Sequence, residues 1–305
     1  MRITFQFLLI GLLPWTAQAK LNVVATLPDL ASIAEAVGGD RIKVASLARP
    51  TEDPHFVDPK PSLILKLNKA DVLLEGGAGL EIGWLPALVR SARNQAILPG
   101  AEGHVACNRG IRMLEVPQEL DRFQGDIHAA GNPHYLMDPL NAKIVATNIC
   151  ATLCRLESAS CEAFEKNLAT FSRQIDEQLA TWLELLRPFQ GRRILAYHNS
   201  WPYFSERFGL RVDLFLEPKP GIPPSPAHLA EVIRQMQEDH ISVIIVDPYL
   251  NRRTAETVAR STQARVVDVA QFPGGVKGTE DGYIVLMDHL VNRIAQALSG
   301  VETQR

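Results

Sequence analysis

Between Phe164 and Leu186, seven large apolar residues recur at steps of three or four: Phe164, Leu168, Phe171, Ile175, Leu179, Trp182 and Leu186. The spacing draws one apolar stripe along a single helix of roughly 26 residues, about 39 Å long at 1.5 Å per residue. Pro188 cannot extend such a helix. A rod of that length at the middle of the chain reads as a rigid connector between two lobes. The stripe alone does not exclude the alternative, a plain core helix of one domain.

On both sides of this rod, strand-like and helix-like segments alternate. Leu21–Leu27, Lys43–Leu47 and Ala70–Glu75 read as strands. Leu30–Val37, closed by Gly38-Gly39, and Pro61–Leu67, opened by proline, read as helices. Leu80–Ala92 is amphipathic. The polar stretch 100–131 reads as loops with short strands. Asp138-Pro139 supplies an N-cap followed by proline, and starts a helix running to about Leu156. After Gly191 the strands Arg193–Tyr197, Val212–Leu216, Val243–Val246 and Arg265–Val269 alternate with helices at Trp201–Phe208, Ser225–Asp239, Thr254–Thr262 and Tyr283–Leu298. Val243–Val246 is entirely apolar, as in a parallel strand covered on both faces. The fold class that follows is α/β: two βα lobes with parallel-type sheets joined by one long helix. The expected division is residues 20–158, 159–188 and 189–305.

Residues 1–19 read as a secretory signal. Arg2 precedes the apolar run Phe5–Trp15, and Ala17-Gln18-Ala19 offers a small-x-small cleavage site before Lys20. The run is too short to span a bilayer. With no cysteine at the cleavage point, export as a soluble, periplasmic protein is expected. Loss of Arg2 with the leader takes the formal charge from −3 to −4. A mildly acidic chain with no basic run argues against nucleic acid and anionic membrane as partners. Cys107, Cys150, Cys154 and Cys161 would meet an oxidising compartment, where an even count favours disulfides. Cys154 and Cys161 flank an apparent helix-to-helix turn and are the preferred pair, which leaves Cys107 with Cys150. No pair of C-x-x-C motifs points to a thiolate metal site.

Three histidines stand where strands give way to loops or helices. They are His55 in Asp53-Pro54-His55-Phe56, His134 in Asn132-Pro133-His134-Tyr135, and His198 directly after Ile194–Tyr197. Carboxyl ends of parallel strands face the binding crevice of an open α/β sheet. One such histidine would be unremarkable, but three make a ligand cluster.

In this order the motifs resemble the zinc- and manganese-specific solute-binding proteins of bacterial ABC importers. The resemblance covers the whole chain after residue 19. It rests on Asp53-Pro54-His55, Asn132-Pro133-His134 with Asp138-Pro139, Tyr197-His198, Glu217-Pro218-Lys219-Pro220-Gly221, Pro224–Leu229 and Gly278–Tyr283. It implies a metal held at the interface of two lobes, with His55 and His134 from the first. His198 and an acid come from the second. Asp281, two residues before Tyr283, best fits that acid, with Glu280 the alternative; Asp247 reads as structural, capping the Pro248-Tyr249 loop. Three imidazoles and a carboxylate suit tetrahedral Zn2+, with Mn2+ open and Ca2+ or Mg2+ disfavoured. The implied partner is a membrane permease. The chain itself is expected to be monomeric and not inserted in the membrane.

Many zinc-binding relatives carry a His- and acid-rich loop before the second ligand. The stretch from Asp121 to His128 departs from that pattern, so His128 is expected to be solvent-exposed, or at most a weak transient ligand. His104, His240 and His289 are expected at the surface, and His228 in a structural role. The rival reading is a zinc hydrolase with an open three-histidine site. It lacks H-E-x-x-H, G-x-S-x-G and a phosphate-cradling glycine loop. An organic-solute binder would need converging aromatic or arginine contacts, which the histidine trio gives no reason to expect.

Overall fold

The computed structural model describes residues 20–118 and 128–300. The expected signal segment 1–19 and the polar stretch before His128 lie outside the described residues. Two four-stranded parallel sheets form the frame. The first contains β1 (Leu21–Ala25), β2 (Ile42–Ser46), β3 (Val72–Glu75) and β4 (His104–Ala106), in the order β2-β1-β3-β4. The second contains β5 (Arg193–Ala196), β6 (Arg211–Phe215), β7 (Val243–Val246) and β8 (Arg265–Asp268), in the order β6-β5-β7-β8. The two orders are the same. In each sheet the chain leaves the first strand to one side and returns on the other, so β1 and β5 flank the switch points where a crevice opens beyond the strand ends.

Why these segments become strands is visible in their burial. All four residues of β7, Val243–Val246, are buried, and Val72, Leu73 and Leu74 of β3 are buried too. Alternating polar residues would be stranded between helices on both faces, so none appear. The first-half helices are α1 (Pro28–Gly38), α2 (Pro61–Asn68), α3 (Leu85–Ala92) and α4 (Pro139–Leu156). The amphipathic stretch from Leu80 becomes helical only at Leu85. Residues before it are held in turns by Glu81, whose buried carboxylate accepts from Gly76 N at 2.7 Å and Gly77 N at 3.1 Å. Asp138 caps α4 as expected, accepting from Leu140 N at 3.0 Å.

The long helix, α5, runs Cys161–Leu186. Phe164, Phe171, Ile175, Leu179, Trp182 and Leu186 are buried along its stripe, each contributing about 1.5–3 kcal/mol on burial. It is no free-standing rod. It packs on α1 and α4 and, on its other flank, on α9 (Tyr283–Ser299). Trp182 Nε1 donates to Asp288 of α9 at 3.1 Å. The remaining helices are α6 (Pro202–Phe208), α7 (Pro226–Glu238) and α8 (Arg252–Thr262). One apolar core is continuous from β1 and α1 through α4, α5 and α9 to Trp201, Phe204 and Ile245. A smaller core, with Leu195, Leu216, Val232, Met236 and Val258, lies behind the second sheet.

Cys154 and Cys161 form the expected disulfide across the turn between α4 and α5. The pairing of Cys107 with Cys150 is not formed; both are free and buried. Each sits among apolar neighbours in the continuous core, where a thiol packs as a small hydrophobe.

Candidate metal centre

His55 lies in the loop between β2 and α2. The turn that carries it is fixed by Trp84, whose Nε1 donates to Pro54 O at 2.9 Å. His134 stands at the start of a short 3-10 turn, its backbone N–H held by Asn132 Oδ1 at 3.0 Å. His198 follows the last residue of β5, at the switch point of the second sheet. The fold brings the three together. One nitrogen from each lies within 4.8 Å of the others. Ring centroids are 5.3–5.5 Å apart in all three pairings.

Two carboxylates orient these rings. His55 Nδ1 is 2.8 Å from Asp53 Oδ1, which also accepts the His55 backbone N–H at 3.0 Å. His198 Nδ1 is 2.7 Å from Glu217 Oε2. A carboxylate on Nδ1 fixes the tautomer with the lone pair on Nε2. Nε2 of His55 is buried without a partner, and so is Nε2 of His134, a ring that no carboxylate orients among the described residues. Unpaired buried polar atoms are costly unless something else meets them. Burial drives Asp53 upward, but the His55 hydrogen bond and charge outweigh it and hold the carboxyl below its usual range. Burial, reinforced by His55 and His198, keeps His134 well below the ordinary imidazole value and therefore neutral. A pocket of converging imidazole nitrogens, two of the rings backed by carboxylates, is built to accept a cation.

The lobes are joined around the trio by polar contacts. Asn132 Nδ2 donates to Asn199 O at 2.8 Å, and Tyr203 OH donates to Asn132 O at 2.9 Å. Gln271 is buried and donates to Ser200 Oγ and Tyr249 OH, at 3.1 and 2.7 Å. Asp247 does more than cap a loop. It is buried at the end of β7, with Oδ1 unpaired, and its carboxyl is pushed up to about 7 by burial, against the opposing pull of Gln271 and His198.

Asp281 is not brought to the trio. It is exposed and lines a separate cleft with Ser32, Phe171, Glu280 and Tyr283. Tyr283 N donates to Ser32 Oγ at 2.9 Å and its hydroxyl to Leu136 O at 2.6 Å, which draws the start of α9 toward α1 and carries Asp281 with it. Glu280, the alternative, is exposed too, accepting from Gly278 N at 2.8 Å. His128 departs from its expectation in the other direction. It is half-buried, its ring 5.3 Å from that of His55. Burial first, then the His55 charge, lowers it to about 4. His104 is partly buried against Glu75, and His228 meets Phe215 O at 3.1 Å. Sequence reasoning missed Asp53 and Glu217 as the acceptors; an acid two residues before a histidine was the available signal for Asp53.

Two parallel-sheet lobes around a buried cluster of imidazoles define a binding protein for a small cation. Residues 23–297 match the model of the ZnuA family, the periplasmic zinc-uptake complex component A, and the chain belongs to that family. It is thus a metal-binding, substrate-binding component of an ABC importer and not an enzyme. Among curated relatives, the metal ABC transporter substrate-binding lipoprotein FimA of Streptococcus parasanguinis is 25% identical over 310 residues, covering 97% of this chain and 96% of the relative. The iron-binding protein YfeA of Yersinia pestis is 27% identical over 291 residues, covering 93% of this chain and 88% of the relative. Among solved structures, a zinc-bound deletion variant of ZnuA superposes with a TM-score of 0.78 at 23% identity, covering 94% and 100% of the two chains. FpvC of Pseudomonas aeruginosa, in complex with Mn2+, gives 0.76 at 20%, covering 92% and 99%. No described helix is long and apolar enough to cross a membrane.

Proposed function

We propose that the chain captures Zn2+ outside the cytoplasm, with His55, His134 and His198 as ligands, and passes it to a membrane permease. The observation that carries this reading is the convergence of three imidazole nitrogens within 4.8 Å of one another, two of them buried without a partner. Zn2+ takes nitrogen ligands at about 2.0–2.1 Å, so modest drawing-in of the rings brings all three onto the ion. The carboxylates of Asp53 and Glu217, one behind each of two rings, offset the two positive charges the ion brings. Residues 1–19, cleaved after Ala19, would supply export.

Mn2+ is the competing cargo. Relatives bear manganese names, such as the substrate-binding lipoprotein PsaA of Streptococcus anginosus. Nitrogen donors favour zinc over manganese, since Mn2+ stands lowest in the divalent affinity order and prefers oxygen. Competition of the metal-free protein against a chromophoric chelator, run separately with Zn2+ and Mn2+, tests the reading. Tight Zn2+ binding lost on His134→Ala is expected. Binding of neither ion, or full Zn2+ affinity in His134→Ala, refutes it.

A further inference from the structure

Three imidazoles leave a tetrahedral ion one position short, and among the described residues no carboxylate joins the trio within 4.8 Å. One more imidazole stands at its edge. The His128 ring lies 5.3 Å from His55 at an interplanar angle of 32°, and it shares with His134 and His198 the wall of a cavity of about 480 Å³. Its Nε2 is buried and has no hydrogen-bond partner, as is true of His55 Nε2 and His134 Nε2. The other ring nitrogen, Nδ1, faces Gly79. His128 therefore shares with His55 and His134 the feature that marks a ligand, an Nε2 that is buried and unpaired, and its ring stands beside that of His55. An imidazole serving only to fill space would not leave that nitrogen dry and alone.

We propose that His128 Nε2 is the fourth ligand of the captured cation, completing a shell of four neutral imidazoles. His128 is not within 4.8 Å of all three trio nitrogens, so loading draws it inward over His55. The proposal rests on the metal-capture reading and sharpens it. Four nitrogens leave no oxygen donor on the ion, which favours Zn2+ over Mn2+.

Zinc affinity of the unaltered chain, His128→Ala, His128→Gln and His134→Ala is measured by chelator competition, alongside a crystal structure of the zinc-loaded unaltered chain. At least a tenfold loss in both His128 variants is expected, with Nε2 of His128 at about 2.0–2.1 Å from the ion. Unchanged affinity in the His128 variants, or water or a carboxylate in the fourth position, overturns the proposal. If His134→Ala still abolishes binding in that case, metal capture stands and only the role of His128 falls. Should a His128 variant fail to fold, the loaded crystal structure alone decides.

Discussion

Arg207 on α6 grips Asp138, the cap of α4, with Nε and Nη2 each 2.8 Å from a different carboxylate oxygen. The pair crosses from one lobe to the other and lies beside the polar ties that hold Asn132. Arg207→Ala leaves Asp138 to cap the helix alone and is expected to cost about 2 kcal/mol, typical of hydrogen bonds to a charged group in a partly buried setting. Arg207→Lys should recover only part of this, because a single ammonium cannot replace a bidentate fork. Chemical denaturation of the metal-free protein reads both; equal stability of the three chains contradicts the assignment.

Removing either orienting carboxylate should weaken metal binding without abolishing it. Asp53→Asn and Glu217→Gln keep the shape but take the charge from behind His55 and His198. A loss of about 10–100-fold in zinc affinity is expected for each. A chelator titration giving wild-type affinity for both would mean that the rings are oriented by something else.

The thiol inventory follows from burial. Cys107 is fully enclosed, and burial first, then nearby acids, raises its thiol well above the usual range. Cys150 is buried as well. In the folded, oxidised protein neither should react with a thiol reagent, and two should titrate after denaturation. Replacing Cys154 and Cys161 by serine opens a short loop and should cost about 2–3 kcal/mol. Four reactive thiols on denaturation would show that the disulfide is absent.

Asp29 gives the pH prediction. Burial, with a smaller push from Glu81, raises its carboxyl to about 7 from 3.8. A raised folded value means that its stabilising contribution is complete below 3.8 and is lost as pH climbs through about 7. Asp29→Asn retains the acceptor for Leu30 N but cannot ionise. Its stability relative to the unaltered metal-free chain should therefore grow from pH 5 to pH 8, by roughly 1 kcal/mol or more, a few degrees in Tm. A difference that does not change with pH rules this out.

Much of the frame could be read directly from residue order. The stripe from Phe164 to Leu186 marked α5 to its last residue, and the apolar run at Val243–Val246 marked β7 without error. The histidines were legible because strand ends in parallel sheets point at the crevice, a rule that needs no long-range contact. What escaped was set by folding back. Glu217 lies 19 positions from His198, on the next strand's exit, and no helical or strand period links them. Asp281 is close to Tyr283 in sequence, but spacing does not tell which flank of α9 the chain takes, and the anchoring of Tyr283 on Ser32 and Leu136 settled it. His128 follows a polar stretch that suggests solvent, yet the chain turns it inward over Gly79. An even cysteine count suggested two bridges, whereas Cys107 and Cys150 are accommodated by packing alone.

The last helix has an origin and a destination on different lobes. α9 is spelled after β8, yet Tyr283, Met287, Leu290 and Ile294 join the core shared with α1 and α5. Neither half is therefore a spare part: a chain ended after α5 would leave that helix's flank bare, and a chain begun at β5 would bare the face of α9 that packs on α5 and α1. The two halves should melt together, and ions should leave by local parting of the histidine-bearing loops rather than by the lobes swinging wide like a clamshell.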